Sequence, residues 1–159
     1  MASREHILLF VFCSFLFASC AGTSVTVHAP PAKRSYSTAE IYNSDTKHPE
    51  LSQQITRAVA FELRSRGVIA TIRDVGDAPS ETVDLLVVHT SDWPWDLARY
   101  LASLEIKLVD RNSKEIVGAG TYEGTTWHDF PQPAVIVRNI FEDFDRRGVF
   151  RTRASAGAE

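Results

Sequence analysis

The chain has 159 residues, a formal net charge of −3 and a hydrophobic share of 44%. That length is a one-domain length. The interspersed charges leave no basic block for nucleic acid and no acidic disordered arm, and two cysteines cannot build a disulfide framework.

The first nineteen residues differ from the rest. A thin positive start, Arg4 beside Glu5, precedes the apolar run "ILLFVFCSFLF" from Ile7 to Phe17. About eleven residues are too few for a membrane span of about twenty, and suit the apolar centre of an export signal. Small residues, "ASCAG", follow at once. Two cleavages fit. An ordinary signal cut after Ala21 has Ser19 and Ala21 at its small positions. "FASC" resembles the lipobox of bacterial lipoproteins, with Phe17 where that motif usually carries Leu. The cysteine count favours the second. Cys13 leaves with the leader, so Cys20 is the lone thiol of the mature chain, a liability in an oxidising compartment that acylation removes. Cys20 is therefore expected to carry lipid and to hold the domain at a membrane. The lipoprotein resemblance, with Ala21 and no Asp after the cysteine, implies the inner leaflet of an outer membrane, facing the periplasm.

Residues 20–24 read as a tether, and 25–150 as one domain. "SVTVHA", 24–29, alternates like a first strand. Pro30 and Pro31 break it, and residues 35–48 are polar and turn-rich, predicting a loop. A helix starts at Pro49 with Glu50 in its first turn and stops at Gly67. Leu51, Ile55, Ala58, Val59 and Leu63 share its apolar face. "VIATIRD", 68–74, predicts a strand, and 74–82 a loop. "VDLLVVHTS", 83–91, reads as a central strand buried on both faces.

Tyr100 to Asp110 alternates, "DRNSK" turns, and "EIVGAGTYEG", 115–124, returns as a hairpin. Gly118 and Gly120 on one face suit a bulge or a closely packed helix. A second helix runs from Pro133 to Arg147, closed by Gly148, with Ile136, Val137, Ile140, Phe141 and Phe144 inward. Residues 151–159 read as a frayed tail. The fold class is α+β: an antiparallel or mixed sheet of four to five strands with two helices on one face.

The stretch "WPWDLARYLASLEIKLVDRNSKEIVGAG", 93–120, resembles small Gram-negative envelope lipoproteins of unknown function. Those share an architecture with periplasmic auxiliary lipoproteins of transport and secretion systems. The matching pieces are Cys20, Trp95-Asp96, Tyr100, Asp110, Gly118, Gly120 and the closing helix with Phe141. The resemblance implies a location and a fold, with no activity attached.

Chemistry is sparse. There is no nucleophile elbow and no P-loop, and Gly118-x-Gly120 lacks a third glycine and opens no helix. No cofactor is expected. His89-x-x-Asp92 and His128-Asp129 are the tight histidine–carboxylate pairings, and neither spacing is a ligand motif, so no metal is expected. Trp93, Trp95 and Trp127 read first as packing over one sheet end. Together with Asp96 and His128 they are also the candidate surface for a partner or ligand. The reading favoured is a non-catalytic interaction or assembly module with an envelope protein partner. The alternative is a small-ligand or glycan-binding protein, and a hydrolase using Asp92 and Asp96 comes last.

Overall fold

The computed structural model describes residues 22–26, 35–45, 47–74, 76–96, 98–124 and 132–150. Its elements run β1 (Gly22–Thr26), β2 (Thr38–Asn43), α1 (Pro49–Ser65), β3 (Ile69–Arg73), β4 (Leu85–Asp92), β5 (Trp95–Asp96), β6 (Ala98–Arg99), β7 (Ser103–Asp110), β8 (Ile116–Glu123) and α2 (Pro133–Arg146). Six strands form one mixed sheet in the order β1-β8-β7-β4-β2-β3, and β5 pairs with β6 in a small hairpin. The class is α+β as expected, with one strand more than the four to five predicted.

That extra strand is β2, inside the stretch predicted as a loop. It lies one place from the sheet edge, parallel to β3 on one side and to β4 on the other. The Asp84 carboxylate fixes its start, accepting from the Ser37 and Thr38 amides at 2.9 and 3.0 Å and from their hydroxyls at 2.7 and 3.1 Å. Its polar Glu40 is buried because Arg73, Tyr42 and the Ser80 amide all bond to it. The first strand begins at Gly22 rather than Ser24, so β1 takes up part of the predicted tether. Residues 27–34 lie outside the described residues.

Both helices end alike. Gly67 and Gly148 take left-handed φ values of 81° and 78°, and the next amides, of Val68 and Val149, reach back to the Leu63 and Phe144 carbonyls. This is the glycine-dependent stop that the sequence signalled.

The two helices cover one face of the sheet. From α1 come Ile55, Val59 and Leu63, and from α2 Ile136, Val137, Ile140, Phe141 and Phe144, all buried. Beneath them the strands alternate, β7 with Leu104, Ile106, Leu108 and Asp110 inward. The close approach expected at the β8 glycines is present. A Cβ on Gly120 would lie 2.2 Å from the Ile140 methyl, and one on Gly118 2.8 Å from the Phe144 ring. A bulge sits there too, since Leu108 faces Gly118 while Val109 faces Ile116. Asp110 ends β7 by accepting the Asn112 and Ser113 amides at 2.9 and 2.8 Å.

Among the described residues, no helix is long and apolar enough to cross a membrane.

Candidate functional site

One end of the sheet carries Asp92, Trp93 and Trp95, the described members of the set that the sequence singled out. Strands β2, β4 and β8 finish there, and β1 and β7 begin there. Helix α1 follows β2 and returns to the start of the parallel β3, while α2 packs against β8 with Ile140 over Gly120 and Phe144 over Gly118. Both helices therefore run against the same strand direction, and both N-termini face this end.

Two cross-strand rows define the open side of this end. The outermost links Gly22, Glu123, Ser103 and Asp92, and the next links Ser24, Thr121, Glu105 and Thr90. Thr90, Asp92, Ser103, Glu105, Thr121 and Glu123 line a cleft of about 360 Å³. Its polar groups are hydroxyls and carboxylates, and Leu104 adds apolar surface. Ser24 and Thr121 share a 2.8 Å hydroxyl bond, and Lys107 pairs with Glu105 at 2.8 Å. Such a lining suits a hydroxyl- or amine-bearing ligand through hydrogen bonds.

The chain then turns out of β4 into the β5–β6 hairpin, and the two tryptophans separate. Trp93 is buried, its indole N–H donating to the Ser91 hydroxyl at 2.9 Å. It is a packing residue. Trp95 is 68% exposed, with Arg99 paired to it in the hairpin and its guanidinium 5.8 Å from the ring. Arg99 is held by the Trp93 carbonyl at 3.1 Å and the His48 ring nitrogen at 3.2 Å. Packing of all three tryptophans over one sheet end therefore does not hold for Trp95, because the hairpin turns its ring to solvent.

Asp96 lies in β5, and its side chain is outside the described residues, as are Trp127 and His128. Asp92 lines the cleft. Cys20 is likewise outside the described residues. His89 and Asp92 do not converge. They sit three residues apart on β4, so His89 turns to α1 and Asp92 to the open side. Among the described residues, no three His, Cys, Asp or Glu side chains are grouped to hold a metal ion.

Sequence reasoning passed over the cleft itself. Glu105, Thr121 and Glu123 belong to no motif, and only the pairing of β7 with both β4 and β8 brings them beside Asp92. Alternation within each strand was the available signal, and it names a face without naming its neighbours.

No family model matches the chain. No curated protein matches it significantly. Solved structures do share the fold. Two crystal forms of the PelC dodecamer from Paraburkholderia phytofirmans superpose with TM-scores of 0.54 and 0.53 at 15% identity, covering 79% and 82% of this chain and 96% and 100% of theirs. A PDZ domain protein from Parabacteroides distasonis superposes with a TM-score of 0.54 at 9% identity, over 83% of this chain and 36% of its own. At these identities the likeness is one of fold.

Proposed function

We propose that the chain is a lipid-anchored envelope assembly module, non-catalytic, working as a homo-oligomer on the periplasmic face of an outer membrane. The observation that carries this reading is the start of β1 at Gly22, two residues past Cys20. Two residues reach about 7 Å at most. A lipid on Cys20 thus leaves no long leash, and the sheet end bearing Gly22, Glu123, Ser103 and Asp92 lies against the membrane surface. Gly22 and Asp92 are three strand spacings apart, about 14 Å. The exposed Trp95 and Arg99 follow on that same end. An amphipathic ring beside a cation suits the headgroup region.

The shared fold with a dodecameric protein supports the oligomer. Copies anchored in one leaflet need all anchors on one face of the assembly, which cyclic symmetry about the membrane normal provides.

Intact-mass measurement of the membrane-extracted protein tests the anchor. The mature chain should start at Cys20 and carry the mass of acyl groups, and Cys20→Ser should release it to the soluble fraction. A free chain starting at Gly22 would end the reading. Cross-linking in membranes tests the oligomer, which should give a ladder of copies.

The cleft favours a second reading, a glycan-binding module. Titration with glucosamine oligomers should show binding that Asp92→Asn with Glu123→Gln weakens. Unchanged heats with the doubly substituted chain would remove it.

A further inference from the structure

We propose that His89 is an acid-sensitive latch, holding the N-terminal half of α1 on the sheet while neutral and releasing it when protonated. The inference is independent of the anchor at Cys20.

His89 sits on β4 with no exposed surface, between the sheet and α1. Its Nε2 is 2.8 Å from the Thr56 hydroxyl of α1. That hydroxyl donates its one hydrogen to the Ser52 carbonyl at 3.2 Å. With that hydrogen assigned to Ser52, the imidazole donates through Nε2–H and Nδ1 is left as a bare lone pair. Among the described residues, Nδ1 has no hydrogen-bond partner. Protonation puts a hydrogen on that nitrogen with nothing to accept it, and places a charge where water does not reach.

The surroundings offer little relief. α1 contributes the neutral Ser52 and Thr56, β2 the neutral Asn43 opposite His89, and β7 the apolar Ile106. Glu105 and Lys107 flank Ile106 but point to the open side of the sheet, as Asp92 does on β4 itself. Among the described residues, the charge acting on the ring is Asp45, from the link between β2 and α1. Its carboxylate is already engaged by the Lys47 and His48 amides and by the Ser91 hydroxyl. Burial lowers the His89 pKa to about 4, against a smaller opposing pull from Asp45.

The sign follows. A freed His89 takes up its proton near 6.5 and the latched one near 4. Between those values the released form binds more protons, so the latched form loses ground as pH falls. The device resides in the contact between β4 and α1. Among the described residues, α2 meets the β8 glycines through Ile140 and Phe144, which do not titrate.

Hydrogen exchange on the full chain at pH 7.5 and 4.5, corrected for intrinsic rates, tests it. Protection of the peptides covering 49–65 should drop on the order of fiftyfold, those covering 133–146 far less, and His89→Gln should abolish the difference. Equal loss in both helices, or an unchanged pH dependence in His89→Gln, overturns the latch. If the Gln variant does not fold, the His89 ring proton resonance of the native chain decides. A midpoint near 4 supports the latch, and one at the ordinary value of about 6.5 sinks it.

Discussion

Arg66 grips Asp145 across the C-terminal ends of the two helices, Nε at 3.0 Å and Nη2 at 2.6 Å from its carboxylate. The same guanidinium reaches Glu62 at 2.7 Å and lies 5.1 Å from the Phe141 ring and 5.9 Å from that of Phe150. Burial alone lowers its pKa, and the Asp145 and Glu62 bonds outweigh that and raise it. A mostly buried cation is thus matched by two carboxylates and two ring faces. Arg66→Ala takes the partner from Asp145, leaves Glu62 only its 3.9 Å pair with Arg138, and should cost about 3 kcal/mol in urea unfolding. Arg66→Lys should recover little, because an ammonium cannot reproduce the fork or the stacking. A lysine variant as stable as the native chain would reduce the network to simple charge pairing.

Gly120 sets how closely α2 approaches β8. The Ile140 methyl occupies the place of a Cβ there, so Gly120→Ala should cost about 1–3 kcal/mol through overpacking. Ile140→Ala in that background should return part of the loss, since the two side chains compete for one space. Additive losses in the double-mutant cycle would contradict this contact.

The two tryptophans of "WPW" should respond oppositely. Trp93→Ala empties a buried site and removes one of the hydrogen bonds to Ser91, costing about 3–5 kcal/mol. Trp95→Ala should leave the thermal midpoint of the extracted domain nearly unchanged, because its ring is exposed. Its effect should show instead on the Cys20→Ser background, as weaker sedimentation with phospholipid vesicles.

Acid should act on the Asp84 clamp in a lower window than on His89. The Ser37 hydroxyl is the largest cause holding the Asp84 carboxyl below its ordinary value, against burial, with the Ser37 amide and Thr38 adding to it. A carboxyl lowered in the folded state contributes stability above the unfolded pKa and loses it as pH falls through the folded one. That loss begins below about pH 4. Glu40 behaves alike, since its bonds to the Ser80 amide, Arg73 and Tyr42 prevail over burial, the largest single influence. Asp84→Asn should weaken folding at pH 7 by about 2 kcal/mol and flatten the stability curve below pH 4, measured by urea midpoints across pH. A curve as steep as the native one would deny Asp84 this role.

Local pattern carried much of the architecture. The stripes Ile55–Val59–Leu63 and Ile136–Ile140–Phe144 named both helices, because each needs only its own sequence to present one apolar face. Gly67 and Gly148 marked their ends, since left-handed backbone is cheap for glycine. The β7–β8 hairpin was equally legible from its alternation around "DRNSK". The sequence groups Trp93 and Trp95 as one packing cluster and candidate surface, and the structure buries the first and exposes the second, because the two positions leave the turn in different directions.

β2 stayed hidden for a physical reason. "TAEIYN" is a short run of three apolar and three polar residues among turn-forming neighbours, and it is a strand because β3 and β4 pair with both of its edges while Asp84 and Arg73 satisfy its polar groups from thirty and more residues away. The acidic cleft and the His89–Thr56 contact share that origin, each joining elements distant along the chain. By itself, the order of residues decided helix faces, turn positions and the expected address at Cys20, all of which depend on near neighbours. The tertiary structure alone decided strand partners, and with them which carboxylates share a cleft and which histidine lies out of water's reach.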